Sequence, residues 1–310
     1  GSIDLLIGTH RILSKDIIFK DLGLLILDEE QRFGVEDKEK IKNLKENIDV
    51  LTLSATPIPR TLHMSLIGVR DISIIDTPPK NRVPVQTVVS EYNDALIRDA
   101  INREINRNGQ VLIVYNRVES ITQFAQRIRA FYPNENIAIA HGQMDKKQLE
   151  NIINKVYQEE VRILISTVLI ENGIDLPKAN TIIITNADKL GLSQLYQLRG
   201  RVGRSNINAF AYFTYESHLS LTEEGYKRLS ALSEFSSLGS GFKIAMRDLE
   251  IRGGGNIFGA EQSGHLQKVG FDMFSKLLTA FLLPLGAHHL FHLSLAESDI
   301  SCDLSNVNLV

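Results

Sequence analysis

Short runs rich in Ile, Leu and Val recur along the chain: Leu22 to Leu27, Val50 to Leu53, Val111 to Tyr115, Ile137 to Ala140, Val161 to Ser166 and Thr181 to Thr185. Stretches of helical length and amphipathic pattern separate them. A strand that is apolar at consecutive positions has no face to turn to water. It must be covered on both sides, as in a parallel sheet flanked by helices. The pattern therefore predicts an α/β fold. A further strand near Thr87 to Glu91 leads into a helical stretch from Asn93 to Asn106, and the alternation continues to about Tyr215, enough for one complete doubly wound domain.

At 310 residues and 43% hydrophobic composition the chain is long enough for two domains with cores of their own. Between Asp76 and Pro84 lie three of its eight prolines among polar residues, the composition of an interdomain linker. From Thr222 to Phe235 the pattern is helical, and glycine-bearing segments follow at Leu238-Gly239-Ser240-Gly241-Phe242 and Arg252-Gly253-Gly254-Gly255. A helix is expected from about Gln267 to Leu278. Beyond Lys276 there is no Lys or Arg, and that tail holds the only cysteine and three of the eight histidines. It is compositionally foreign to the rest and is assigned no structure.

The formal charge of -3 supplies no global attraction to nucleic acid or anionic membranes, so any DNA contact has to come from local basic clusters. A single cysteine, Cys302, excludes an internal disulfide and a thiolate zinc cluster. With no membrane-length apolar stretch and no signal pattern, a cytoplasmic location is expected. A metal site from His288, His289, His292 and Cys302 has poor spacing for closed coordination.

An apolar strand ending in Asp28-Glu29 sets two carboxylates at the carboxyl edge of a parallel sheet, where α/β folds place their ligands. Such a pair suits a nucleotide hydrolase, the Asp holding Mg²⁺ and the Glu orienting water, although an exposed acidic turn has the same composition. About twenty residues on, Ser54-Ala55-Thr56-Pro57-Ile58-Pro59-Arg60 ends a second strand. Its hydroxyls are placed to bond the carboxylates and pass strain to another lobe; a Ser/Thr turn before Pro is the plainer alternative. Arg199, Arg201 and Arg204 fall within six positions, with Gly200 and Gly203 allowing the backbone close to a partner. An arginine reaching a γ-phosphate across a cleft is the role this pattern suggests, against a solvated basic turn. Thr167 to Asp175 and His141-Gly142-Gln143 each follow a strand, and a helix with a glycine cap or a structural histidine explains them equally.

Taken in order, IGTHRIL, DEEQRFGV, LSATPIPRTL, HGQM, STVLIENGIDLP and QLYQLRGRVGRS resemble the successive motifs of superfamily 2 helicases and translocases, over about Ile3 to Leu278. The resemblance implies two RecA-like lobes. Residues 1–76 are then a partial first lobe, 77–84 a linker, 85–217 the second lobe, 218–266 a translocation-motif helical hairpin and loop, and 267–310 a final helix and the unassigned tail. Asp248-Leu249-Glu250-Ile251-Arg252-Gly253 with Glu261-Gln262-Ser263-Gly264 is similar to a motif shared by two bacterial duplex-DNA motors, one coupling transcription to repair and one reversing forks. HGQM, the compact VLIVYNRVESI segment and DEEQRFGV fit the first better.

By that resemblance ATP and Mg²⁺ are the cofactors, with Asp28 on Mg²⁺ through water, Glu29 activating water, and Arg201 and Arg204 on the γ-phosphate. Gln31, Gly173, Asp175 and Gln197 approach the nucleotide. Gln31 stands where such boxes often carry His or Asp, and its amide hydrogen-bonds without titrating. Thr9, His10, Arg60 and Thr167 fall to the DNA side, Ser54 and Thr56 to DNA binding or coupling, and Arg228, Arg252 and Gln262 to the translocation motif. The two arginines fit helix caps or pairs with Asp248 and Glu250 as well. Partners implied are double-stranded DNA and, through modules outside these residues, RNA polymerase and excision-repair proteins. A fork-remodelling fragment and a non-catalytic duplex-binding fragment are the alternatives.

No GxxxxGK[ST] phosphate loop occurs in the 310 residues. Since that loop cradles the phosphates, the chain by itself is expected to bind ATP poorly and not to turn it over. The first lobe is expected to leave apolar surface and a strand edge uncovered, making the lobe after Pro84 the more stable unit.

Overall fold

The computed structural model describes residues 3–14, 16–30, 33–44, 48–56, 71–75, 77–78, 82–168, 176, 178–204 and 206–251. Arg252, Gln262, the helix expected from Gln267 and the tail lie outside these residues, as do Gln31, Arg60, Gly173 and Asp175.

The first lobe contributes β1 (Leu24–Asp28), α1 (Val35–Leu44) and β2 (Asp49–Leu53), the two strands pairing in parallel with Asp28 opposite Leu53. The second lobe runs β3 (Gln86–Glu91), α2 (Asp94–Asn106), β4 (Gln110–Val114), α3 (Val118–Phe131), β5 (Ile137–Ala140), α4 (Lys146–Tyr157), β6 (Ile163–Ser166), β7 (Ala179–Ile184), α5 (Leu192–Arg199) and β8 (Phe210–Tyr215). After it come α6 (Glu223–Glu234) and α7 (Gly241–Ile251). Its sheet has the order β3-β8-β7-β4-β6-β5, all parallel. Each apolar run read from the sequence is a strand, with ends moved by a residue or two.

Every residue of β4, β6 and β7 is buried, as continuous apolar runs require. Val111, Ile113, Ile163 and Ile165 pack beneath α2 and α3, with Ile97, Ile101, Ile121 and Ile128. Leu112, Val114, Leu164 and Ile184 face the other way, against Val156 of α4, Leu192, Leu195 and Leu198 of α5, Leu229 and Leu232 of α6, and Ile244 of α7. Asn93 caps α2 by accepting from the Ala95 N–H at 2.8 Å, and Thr222 caps α6 by accepting from Gly225 at 3.1 Å. The fully buried Glu104 of α2 accepts from Thr181 of β7 and from Arg107, pinning helix to sheet.

In the first lobe the alternation differs. β1 buries Leu25 and Leu27 against Leu13 and Ile41, whereas Leu24, Ile26, Leu51 and Leu53 are each 43–54% exposed on the opposite face. This is the uncovered apolar surface expected from the sequence. Within the expected linker Arg82 donates to the Gly203 carbonyl at 3.2 Å, and just after it Val85 is buried beside Gly203.

With only one face of β1 and β2 covered, their amides are expected to exchange with solvent faster than those of β4, β6 and β7. Hydrogen exchange read strand by strand checks this, and equal protection in the two sheets contradicts it.

Candidate active site between the two sheets

Asp28 closes β1 with its side chain exposed, and the next residue leaves the strand abruptly. Glu29 has φ 52°, a left-handed conformation that a non-glycine residue adopts only when its surroundings hold it there. Its N–H donates to the Leu53 carbonyl at 3.0 Å, continuing the ladder, while the side chain swings towards the turn after β2. There Ala55 N–H donates to Glu29 Oε1 at 3.0 Å, and from the second lobe Gln197 Nε2 donates to Glu29 Oε2 at 3.0 Å. The same amide donates to Thr56 Oγ1 at 3.2 Å, with Thr56 only 2% exposed. Next to it, Thr52 Oγ1 donates to Glu30 Oε2 at 3.3 Å, and Ser54 Oγ accepts from Thr56 N–H at 3.3 Å.

One carboxylate and one hydroxyl of the first lobe thus meet an amide of the second at one point. The hydroxyls of Ser54 and Thr56 were expected to bond the carboxylates; Thr56 Oγ1 instead accepts from Gln197, and Ser54 Oγ accepts from the Thr56 N–H. The carboxylate is held instead by the Ala55 backbone, which carries no side-chain signal and was missed, as was the bond from Thr52 to Glu30.

The three arginines near the end of α5 have different fates. Arg199 is 5% exposed and donates to Leu232 O at 2.8 Å and Phe235 O at 2.7 Å, with its guanidinium 4.9 Å from the Tyr196 ring centre. Burial lowers its pKa from the usual guanidinium value, and its work is to tie the end of α6 to α5. Arg201 is half-buried in the turn that follows, and Arg204 is exposed, with Nε donating to Gly200 O at 3.4 Å. Gly200 is ordinary right-handed backbone. Gly203 has φ 74°, and a Cβ there would meet Val85 at 2.9 Å and Ala209 at 3.1 Å, so this glycine serves the turn's own packing rather than the approach of a partner.

The remaining sequence candidates lie elsewhere. Thr9 caps a 3₁₀ turn over His10–Leu13, and His10 is exposed beside it. Thr167 is 7% exposed just beyond β6, its N–H bonded to Ala140 O at 3.2 Å. Arg228 donates to Asp188 O at 2.9 Å and lies 3.7 Å from Glu224, the structural use weighed for it, although with partners other than Asp248 and Glu250. Glu250 pairs with Arg247 at 2.8 Å, and Asp248 accepts from Ser193 of α5 at 3.5 Å.

Two parallel-sheet lobes, with a strand ending in Asp-Glu facing a helix that ends in an arginine turn, define a helicase-type module. The DEAD/DEAH box helicase model matches residues 1–65 and the helicase conserved C-terminal domain model residues 92–206, so both families of helicase domain are represented in the chain. Within that class it is 60% identical over 278 residues to the transcription-repair-coupling factor of Bacillus subtilis (strain 168), and 57% identical to that of Staphylococcus aureus (strain USA300). Each alignment takes in 90% of this chain and 24% of the relative, so the chain spans about a quarter of the length of the curated relatives it matches. A solved structure of RecG bound to a three-way DNA junction superposes with a TM-score of 0.65 at 32% identity, over 90% of this chain and 36% of that one. The kinship read from the motifs, to the transcription-repair motor with RecG next, is borne out.

Arg199→Met removes charged donors from two helix-end carbonyls, and the expected cost is about 2–4 kcal/mol of stability in the second lobe. Arg204→Met is expected to leave the unfolding midpoint unmoved. Urea denaturation of both variants separates the two roles.

Proposed function

We propose that the chain is part of an ATP-dependent double-stranded DNA translocase acting in transcription-coupled repair, and that the junction of Glu29, Thr56 and Gln197 marks its nucleotide cleft. The observation that carries this is the Gln197 amide of the second lobe bonded to both Glu29 and Thr56 of the first. A cleft whose two walls are hydrogen-bonded to one another is suited to a ligand that changes their separation. The 57–60% identity to transcription-repair-coupling factors supports that role over fork remodelling, for which the 32% identity to RecG speaks less strongly.

The residues present fit Mg²⁺ and ATP. The exposed carboxylate of Asp28 at a strand end is a hard oxygen ligand suited to Mg²⁺ through water, and the ion would neutralise phosphate charge. Glu29, held by two donors, orients a water. Arg201 and Arg204 stabilise charge on the γ-phosphate from the other wall, and Gln31, Gly173, Asp175 and Gln197 complete the nucleotide contacts. Thr9, His10, Arg60 and Thr167 serve the DNA side, while Ser54 and Thr56 couple the two lobes and Arg228, Arg252 and Gln262 link cleft closure to movement along the duplex. RNA polymerase and excision-repair proteins are partners of the larger protein. The 310 residues alone do not hydrolyse ATP at a useful rate, because no GxxxxGK[ST] loop is among them to hold the phosphates.

The purified 310-residue protein is expected to bind duplex DNA with an affinity that falls steeply as salt rises, and to show no ATPase. Magnesium-dependent, DNA-stimulated hydrolysis by this protein would sink the second expectation, and absence of duplex binding the first. Joined to a phosphate-loop segment from a relative, the chain should gain turnover, and Glu29→Gln should lower it by about 10²–10⁴-fold without loss of DNA binding.

A further inference from the structure

Helix α7 begins at Gly241, and the backbone there lies against the turn that holds Glu29. A Cβ built on Gly241 would fall 2.1 Å from the Ala55 carbonyl oxygen, 3.3 Å from its carbon and 3.6 Å from Tyr196 Cε1. Ala55 is therefore engaged in two directions, its N–H given to Glu29 Oε1 at 3.0 Å and its carbonyl packed on the first residue of α7. We propose that Gly241 is a positioning residue: by lacking a side chain it seats helix α7 on Ala55, and so couples the placement of the Glu29 carboxylate to the helices after the second lobe. This rests on reading Glu29 as the water-orienting group.

The two sides of the contact differ in how firmly they are held. Ile244, Ala245 and Leu249 of α7 are buried in or beside the second-lobe core. The start of α7 is tied down by Ser240 Oγ donating to Ser237 O at 2.6 Å and by Ile244 N–H donating to Ser240 O at 2.9 Å. Ala55 sits on a turn after β2, whose sheet packs, among the described residues, on a core of four buried side chains, Leu13, Leu25, Leu27 and Ile41. A methyl group at position 241 falls about 1 Å or more short of normal contact distance, so the softer side yields. Ala55 then moves away and lengthens its bond to Glu29, and the Gln197 bonds spanning the same junction at 3.0 and 3.2 Å open with it. In the reverse direction, a change at the Glu29 carboxylate releases Ala55 and with it the seat of α7. Coupling between two sites is reciprocal.

The test is amide exchange resolved residue by residue on the 310-residue protein, with no nucleotide or DNA present, so failure of the motor reading leaves its outcome intact. In Gly241→Ala, exchange at Ala55 is expected to rise about tenfold while Val111 to Val114 stay protected. Lys243→Ala, an exposed change on the same helix, should leave Ala55 as it was. In Glu29→Ala, exchange at Ile244 is expected to rise, which a purely local packing role of Gly241 does not produce. An unchanged Ala55 in Gly241→Ala, or an unchanged Ile244 in Glu29→Ala, overturns the proposal. Should Gly241→Ala fail to fold, the Glu29→Ala result decides alone.

Discussion

Parallel neighbours cannot be joined by a tight turn, so each strand of the six-stranded sheet is reached through a crossover long enough to hold a helix, and both faces end up covered. The same constraint gathers the carboxyl ends of all strands along one edge. In the first lobe that edge carries Asp28 and the turn Ser54-Ala55-Thr56 side by side, because β1 and β2 pair with Asp28 opposite Leu53. The site is a by-product of how the strands must run.

Helix α5 is where the two lobes and the following helices meet. Leu192, Leu195 and Leu198 fix it to the core, Gln197 faces the first lobe, Arg199 ties down the end of α6, and Ser193 donates to Asp248 of α7. Among the described residues its apolar contacts with the core are broad, and Gln197 donates to Glu29 and Thr56 of the first lobe. A hydrogen bond to a charged group contributes roughly 1.5–3 kcal/mol and a neutral one about 1 kcal/mol.

The arginine-rich turn shows how equal residues become unequal. Arg199, Arg201 and Arg204 are indistinguishable as a sequence cluster, yet the helical repeat sends Arg199 inward, where two carbonyls at the end of α6 compensate its lost hydration. Arg204 falls beyond the helix and stays in water. Gly203, which reads as an opening for a partner, is required by a left-handed turn wedged between Val85 and Ala209.

The sequence by itself determined the α/β class, the strands, the helices as far as Phe235 and the order of the helicase motifs. Those depend on apolar periodicity, proline placement and local residue type, all of which are written along the chain. Strand ends and residue type single out Asp28, Glu29, Thr56 and Gln197, of which Glu29, Thr56 and Gln197 are joined by hydrogen bonds. Only the tertiary structure decided which atoms meet: that Ala55, with no functional side chain, holds the carboxylate through its N–H, that Thr56 answers to Gln197 some 141 positions away, and that Gly241 lies on the Ala55 carbonyl. Backbone groups are the same at every residue, and contacts between segments so distant in sequence follow from how the lobes pack, which no local pattern encodes.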